Sequence, residues 1–82
     1  MYYIYILQST IKQRYYIGQT ENLMKRLTVH NSGQVRVTKG YRPWKISHSE
    51  NFSTRSEAVK RELEIKSYKG GIKFKRLLNL VR

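Results

Sequence analysis

The hydrophobic residues of this chain fall into short blocks whose spacing changes along the sequence. Residues 2–8 (YYIYILQ) and 14–19 (RYYIGQ) are rich in Tyr and Ile, with a polar connection between them. Aromatic and β-branched residues favour a pleated, largely buried strand. The two blocks therefore predict a β-hairpin, and Gly18 near its end permits a bulge or a close backbone approach.

The next block has the spacing of an α-helix. Apolar residues recur at every third or fourth position from Leu23 to His30. Thr20 or Asn22 is suited to cap the start of this helix, and Gly33 is suited to end it.

A basic loop and a third strand are expected after this helix. Residues 34–42 are basic and have no hydrophobic period, and Pro43 follows them. The alternation that starts at Trp44 predicts a strand that ends near Glu50 or Phe52.

Two helices complete the chain. Residues 54–57 (TRSE) have the form of a capping box, and the helix they open is expected to end near Tyr68, before Gly70. Residues 72–80 predict a short terminal helix. The order β-β-α-β-α-α indicates an α+β fold, with a small three-stranded, mainly antiparallel sheet flanked by helices. The length suits one domain, residues 1–82.

Charge changes the picture more than any other feature of the composition. Seventeen Lys and Arg residues face five Glu residues, which gives a formal net charge of +12. So basic a domain is expected to bind a polyanion, with nucleic acid as the first candidate and an anionic membrane surface as the second. The absence of Cys fits a reducing, cytoplasmic setting. The longest apolar run is far shorter than the ~20 residues of a membrane span, so we expect no membrane segment.

Glu62 is the first candidate for chemistry. At about 100° per residue, Ala58, Val59, Leu63 and Ile65 are expected to trace the apolar face of the capped helix, and Glu62 falls within it. A carboxylate on an apolar face costs free energy unless it is paired or binds a metal. Three interpretations stay open: a buried Glu that pairs with a basic residue, a Glu at the rim that reaches water, and a ligand for Mg²⁺.

Arg26 and His30 stand four residues apart and therefore share one side of the first helix. Arg is suited to bind a phosphate with two hydrogen bonds, and His can act as a general base near neutral pH. The alternatives are a solvated Arg and a His that stabilises the end of the helix. His48 is expected to lie in a strand with no acidic or His neighbour in sequence, so we interpret it as structural.

These blocks, in this order, resemble the GIY-YIG nuclease family. Tyr3-Ile4-Tyr5 stands where the family has its first motif, and Tyr16-Ile17-Gly18 is the second motif intact. Arg26, His30 and Glu62 fall at the helix positions of the family. The resemblance extends over essentially the whole chain, to Asn31-Ser32-Gly33, Thr38, Pro43-Trp44 and the Gly-rich tail. The chain looks most like the small single-domain members and the N-terminal domain of UvrC-type repair endonucleases.

The resemblance implies hydrolysis of DNA phosphodiester bonds with a single Mg²⁺ or Mn²⁺ ion, in DNA repair or recombination. Glu62 would be the metal ligand. Tyr5 would activate or position the attacking water, and Tyr16 would orient the phosphate or the water. Arg26 would offset charge that develops on phosphorus, while His30 would serve as a base or as a phosphate ligand.

Further basic residues are expected to bind nucleic acid without reading its sequence, because contacts to phosphates position a protein but carry no base information. They are Arg14, Lys25, Arg36, Lys39 and Arg42. We therefore expect low sequence specificity or a preference for a DNA structure, with branched and damaged duplex as candidates. A larger repair complex is a further candidate partner.

Two residues depart from the family pattern. Tyr3 replaces the Gly of the first motif, which carries no reacting group. Gln19 stands where several relatives have a Lys that helps to activate the tyrosine. The second departure keeps an alternative open, in which the chain is a catalytically weak or inactive nucleic-acid-binding module of the same fold.

Overall fold

A computed structural model of the protein describes residues 1–79 and confirms the predicted α+β fold and the order of its elements. The strands and helices are β1 (Tyr2–Ser9), β2 (Tyr15–Thr20), α1 (Leu23–Asn31), β3 (Trp44–Phe52), α2 (Arg55–Ser67) and α3 (Ile72–Leu77). No helix within this described part of the chain is long and apolar enough to cross a membrane.

Strand β1 lies in the centre of a three-stranded sheet with the order β2-β1-β3, and both of its neighbours are antiparallel to it. Tyr5 therefore stands opposite Gly18 on one side and Ser49 on the other. The pairing with β3 is irregular between Ile6 and Leu7. This central place explains why β1 alternates poorly, since both of its faces are covered by helices.

The sheet separates two hydrophobic cores. On one face, Tyr5, Leu7 and Trp44 pack with half-buried residues of α1. On the other face, Ile4 and Ile6 pack with residues of α2 and α3. Successive residues of a strand point to opposite faces, so β1 supplies alternate residues to both cores. We call these two sides the α1 face and the α2 face.

Side-chain caps fix where the helices begin. The backbone N–H of Lys25 donates to Oδ1 of Asn22 at 3.0 Å, so Asn22 rather than Thr20 caps α1. The predicted capping box of α2 is confirmed, because Glu57 N–H donates to the Thr54 hydroxyl and Thr54 N–H donates to the Glu57 carboxylate. Each cap satisfies a donor that the first turn of a helix leaves free.

Three expectations about the elements are wrong in detail. The loop over residues 34–42 contains a 3₁₀ turn at Lys39–Tyr41. Helix α3 ends at Leu77 instead of residue 80, while residues 80–82 lie outside the described part. Leu63 is 62% exposed and does not belong to the buried face of α2. At about 100° per residue it lies about 140° from Ala58, which is too far round the helix to contact the sheet.

Candidate active site

Tyr5 is the centre of a buried polar cluster on the α1 face. Tyr5 is 2% exposed, and its hydroxyl lies 3.1 Å from Nε2 of His30. The Nε–H of Arg26 donates to the same hydroxyl at 3.4 Å. Both partners come from α1, and their i, i+4 spacing brings them to one side of that helix, as predicted.

Gly18 makes room for the Tyr5 hydroxyl. A Cβ atom at position 18 would lie 2.6 Å from the hydroxyl oxygen of Tyr5 and 2.7 Å from its Cζ. Such distances do not occur between packed atoms, so any other residue would displace Tyr5. The close approach predicted for this glycine is therefore met by the side chain that stands opposite it in the sheet.

Tyr16 completes the cluster from the edge strand β2. Its ring is stacked on that of Tyr5, with centroids 6.3 Å apart, and lies 4.8 Å from the ring of His30. Tyr16 and Arg26 are half-buried, whereas Tyr5 and His30 are buried beneath them. Four of the five predicted catalytic residues thus meet in one place, which we call the tyrosine cluster: Tyr5, Tyr16, Arg26 and His30.

Burial and charge set the protonation of this cluster. Burial raises the pKa of Tyr5 above its usual value, although the hydrogen bond from Arg26 acts in the opposite direction. Burial, followed by the positive charge of Arg26, lowers the pKa of His30. The Tyr5 hydroxyl raises the pKa of Arg26. At neutral pH the cluster therefore holds a protonated phenol, a neutral imidazole and a charged guanidinium.

His30 has both ring nitrogens engaged within the protein. It is 0% exposed, with Nε2 beside Tyr5 and Nδ1 2.9 Å from the hydroxyl of Thr38. Because both ring nitrogens are engaged, His30 has no nitrogen left for a hydrogen bond to a phosphate. Of its two predicted roles, the geometry favours that of a base that acts through Tyr5.

Glu62 lies on the α2 face, at the turn of the helix between Ala58 and Ile65, which are both fully buried. Its side chain is 15% exposed, and its Oε2 accepts a hydrogen bond from Nζ of Lys66 at 2.6 Å. Its Oε1 is the one buried side-chain nitrogen or oxygen without a hydrogen-bond partner among residues 1–79. Glu62 is close enough to Tyr5 for its negative charge to contribute to the raised pKa of that hydroxyl.

The free oxygen of Glu62 fits a divalent cation. A buried polar atom without a partner costs about 1–3 kcal/mol, so a native structure seldom leaves one unsatisfied. Carboxylate oxygens are ligands of Mg²⁺, which commonly takes one or two carboxylates and completes its shell with water and phosphate oxygens. No group of three or more His, Cys, Asp or Glu side chains within the described residues could hold a metal. A cation here would depend on Glu62, water and substrate.

An ion pair fixes α2 against β3 next to Glu62. Arg61 donates to both carboxylate oxygens of Glu50, at 2.9 and 3.0 Å, and also to Glu64. His48 contributes as well, since its Nε2 lies 2.7 Å from Glu50. The expectation that His48 has no acidic neighbour is wrong, because residues two apart in a strand share a face. The interpretation of His48 as structural agrees with this contact.

The residues expected to bind nucleic acid are all exposed: Arg14, Lys25, Arg36, Lys39 and Arg42. Lys25 lines a depression of about 220 Å³ on α1 together with Arg26. Arg14 lines a groove of about 510 Å³ on the α2 face, whose other cations are Lys66 and Lys69. Basic side chains therefore lie on both sides of the sheet beside the candidate site.

Gln19 is directed away from the tyrosine cluster. It pairs with Ile4 across the sheet and therefore shares the α2 face. There it lines a depression with Tyr2 and Arg55. The cation that contacts the Tyr5 hydroxyl is Arg26, from the opposite face.

Two residues of the site were not recognised from the sequence as parts of it. Lys66 pairs with Glu62, and the i, i+4 spacing on a helix was a sufficient signal for it. Thr38 contacts His30 from a loop, and its neighbours in sequence carry no signal for that contact. Thr38 had been noted only as part of the family resemblance.

Comparison with known proteins identifies the domain that carries this site. The sequence profile of the GIY-YIG catalytic domain matches residues 1–75. A UPF0213 protein of Haloquadratum walsbyi is 40% identical over 68 residues, which cover 82% of this chain and 75% of that protein. A UPF0213 protein of Staphylococcus saprophyticus is 41% identical over 68 residues and 82% of each chain.

A solved structure agrees with this match. The solution NMR structure of a UPF0213 protein from Bacillus halodurans superposes with a TM-score of 0.60 at 29% identity, and covers 98% of this chain and 85% of that one. GIY-YIG domains are typically nucleases that act on nucleic acid. The motifs, the fold and the relatives agree, and the chain belongs to the GIY-YIG family.

Proposed function

We propose that this protein is a divalent-metal-dependent endonuclease that hydrolyses phosphodiester bonds in DNA. The observation that carries the proposal is that the tyrosine cluster and Glu62 lie near each other. A hydrogen-bonded network of phenol, imidazole and guanidinium lies within electrostatic range of Glu62, whose Oε1 has no hydrogen-bond partner among residues 1–79. Phosphoryl transfer needs positioning groups, a fixed cation and a metal ligand, and these are the groups present.

The tyrosine cluster supplies the proton chemistry in the proposed reaction. The oxygen of a water molecule forms a bond to phosphorus while the bond from phosphorus to the leaving oxygen breaks. The proton of the water passes to the oxygen of Tyr5 as Tyr5 gives its own proton to Nε2 of His30, 3.1 Å away. The leaving oxygen takes a proton from solvent. The lowered pKa of His30 keeps it neutral and able to accept the proton at pH 7.

Tyr16 and Arg26 form the accessible side of the cluster, so they are the residues proposed to contact the phosphate. Arg26 stays charged, and its guanidinium offsets charge on the phosphate oxygens as the water attacks. Glu62 would hold Mg²⁺ or Mn²⁺ through its free Oε1. When bound there, such an ion supplies Lewis-acid stabilisation of the scissile phosphate and the leaving oxygen.

The exposed basic residues are proposed to bind the phosphate backbone on either side of the site. Contacts of this kind give affinity that falls steeply with salt and little preference for base sequence. A substrate recognised by its structure, such as a branched or damaged duplex, fits this surface. Action in DNA repair, alone or with a larger complex, is proposed on the same basis.

The second candidate is a binding module with little catalysis, and the observation that favours it is the position of Gln19. The family resemblance implies a lysine at this position in several relatives, and Gln19 lies on the side of the sheet that carries Glu62. The two candidates share their affinity for nucleic acid and differ in cleavage alone.

Cleavage over a panel of branched, nicked and single-stranded DNA, with Mg²⁺ or Mn²⁺, tests the proposal. Glu62→Gln should lower the cleavage rate by about 100-fold or more, because a metal ligand is lost while shape is kept. Binding of DNA, measured in the presence of a chelator, should be unchanged. Glu21→Gln is the matched control, since the Glu21 side chain is 66% exposed and away from the cluster.

Two results would contradict the assignment. Cleavage that persists in Glu62→Gln would show that Glu62 is not the metal ligand. A wild-type protein that binds every substrate of the panel but cuts none, with either metal, would establish the binding module instead.

A further inference from the structure

Thr38 is a buried residue in an otherwise exposed loop. It is 1% exposed, whereas Arg36, Val37 and Lys39 beside it are exposed. Its backbone carbonyl accepts a hydrogen bond from Nε1–H of Trp44 at 2.9 Å. Trp44 begins β3 and is itself 5% exposed, so the loop is held at this point by the core of the α1 face.

The hydroxyl of Thr38 lies between His30 and a backbone carbonyl. Its oxygen is 2.9 Å from Nδ1 of His30 and 3.3 Å from the carbonyl oxygen of Val35. A carbonyl oxygen only accepts, so the contact with Val35 is a hydrogen bond when the single hydroxyl proton of Thr38 points toward that carbonyl. The Thr38 oxygen is then an acceptor toward His30, and the proton of the imidazole resides on Nδ1.

The opposite arrangement leaves groups unsatisfied. With the imidazole proton on Nε2, the Tyr5 oxygen would accept from both His30 and Arg26. The hydroxyl proton of Tyr5 would then have no acceptor among the described residues, in a site where Tyr5 is 2% exposed. A buried donor without a partner is costly, and this cost selects the first arrangement.

We propose that Thr38 is a positioning residue that fixes His30 in the Nδ1–H tautomer, so that Nε2 is free to accept the proton of Tyr5. The hydrogen bonds then run in one direction, from Arg26 to Tyr5, His30, Thr38 and the Val35 carbonyl. Because Thr38 is 1% exposed, we infer that it acts through His30 and does not itself contact substrate or metal. Its effect on catalysis rests on the proposed nuclease function, whereas its effect on the tautomer does not.

Thr38→Val tests this role, because Val has nearly the shape of Thr without the hydroxyl. Thr38→Ser is the conservative partner, since it restores the hydroxyl. Long-range ¹H–¹⁵N NMR on labelled, metal-free protein reports which nitrogen of His30 is protonated. We expect the Nδ1–H form in the wild type and in Thr38→Ser, and a shift toward the Nε2–H form in Thr38→Val.

Cleavage provides the second readout. Thr38→Val should lower kcat by about 10- to 100-fold, because general acid–base groups contribute about 100-fold or more and depend on the correct tautomer. KM should change little, and Thr38→Ser should recover most of the rate. The acidic limb of the pH profile should move as well. The other groups that face His30 are Tyr5 from β1, Tyr16 from β2 and Arg26 from its own helix, and none of them is altered.

Each measurement can overturn the proposal without reference to the other. An Nε2–H tautomer in the folded wild type would refute it, and so would a Thr38→Val protein that keeps both the tautomer and the rate. If the wild type cuts no DNA, the proposed function fails and the NMR result alone decides the role of Thr38. If Thr38→Val does not fold, Thr38→Ala, which also lacks the hydroxyl, takes its place in both measurements.

Discussion

The two faces of the sheet treat buried polar groups in opposite ways. On the α1 face, the Tyr5 hydroxyl and both ring nitrogens of His30 have protein partners at 2.9 to 3.4 Å. On the α2 face, Glu62 keeps one buried oxygen without a partner and shares the other with Lys66, a side chain that is 49% exposed. The network of Tyr5 and His30 is complete as folded, whereas one carboxylate oxygen of Glu62 has no hydrogen-bond partner among residues 1–79.

This difference indicates how the site divides its work. A network of bonded groups holds its geometry before substrate arrives, which is what proton transfer and charge stabilisation require. An unsatisfied carboxylate oxygen instead provides a place for a cation that arrives with water and phosphate. Variants of the α1 face should therefore lose activity through geometry, and variants of the α2 face through metal binding.

Tyr5→Phe is expected to disrupt the hydrogen-bond network of the α1 face and to have the largest effect of these variants. It removes the hydroxyl that joins Arg26 to His30, so cleavage should fall by about 100-fold or more. The buried His30 and the half-buried Arg26 each lose a partner, and the free energy of unfolding should fall by about 1–3 kcal/mol. Tyr3→Phe, on the same strand, is the control. Equal rates for the two variants would show that the Tyr5 hydroxyl has no part in the reaction.

Gly18→Ala should disturb the same face without removing any polar group. The new Cβ would lie 2.6 Å from the Tyr5 hydroxyl, and displacement of a reacting group by about 1 Å can cost up to about 100-fold in rate. Gly40→Ala is a matched control, because its Cβ would meet nothing within 4 Å. Kinetics and thermal unfolding of both variants would sharpen the comparison. A Gly18→Ala protein as active as Gly40→Ala would contradict the packing described.

Glu50→Gln tests the ion pair that holds α2, and with it Glu62, against β3. The hydrogen bonds from Arg61 lower the pKa of Glu50 below its usual value, with a further contribution from His48. The resulting stabilisation is present above the unfolded pKa of about 4.3 and is lost as the pH falls through the lower folded pKa. The variant should be less stable by about 1.5 kcal/mol at pH 7, and the difference should shrink in acid.

Chemical denaturation at several pH values would measure that difference, with Glu21→Gln as the exposed control. A gap between Glu50→Gln and the wild type that stays constant into strong acid would mean that the carboxylate charge is not the cause.

Lys66→Met should have the smallest effect and the most specific one. It removes the cation that shares Glu62, so Mn²⁺ should bind about 2- to 5-fold more tightly, since such pairs contribute about 0.2–1 kcal/mol. Titration followed by electron paramagnetic resonance would measure the change. Lys60→Met, an exposed lysine of the same helix, should bind Mn²⁺ as the wild type does. Tighter binding that survives in Glu62→Gln/Lys66→Met would place the ion elsewhere.

Local patterns in the sequence predicted most of the fold. Caps, glycine positions and strand composition act over a few residues, so Asn22, the capping box at Thr54 and the hairpin could be recognised from neighbours alone. The candidate catalytic residues were found because their family motifs keep the order of the elements. That four of them meet in space depends on the antiparallel register of β1 and β2, which the sequence does not specify directly.

One feature that was missed depends on how separate segments of the chain pack together. Thr38 and His30 are eight residues apart and meet only because Trp44 holds the loop against the core. The exposure of Leu63 follows from the helical period itself, which places Leu63 about 140° from Ala58. Whether an oxygen of Glu62 lacks a partner is a property of everything packed around it, which no spacing rule reports.

Substitutions at successive residues of the central strand β1 should have different effects. Because β1 is covered on both sides, Ile4 and Ile6 support the core beneath α2 and α3, while Tyr5 between them serves the site. A slip of one residue in its pairing would exchange these sets and place a tyrosine hydroxyl among aliphatic side chains. Saturation mutagenesis along β1 would thus yield two interleaved phenotypes, loss of folding at Ile4 and Ile6 and loss of function in a folded protein at Tyr5. A single strand of eight residues thus contains both core residues and a candidate site residue, and its pairing register fixes the positions of both.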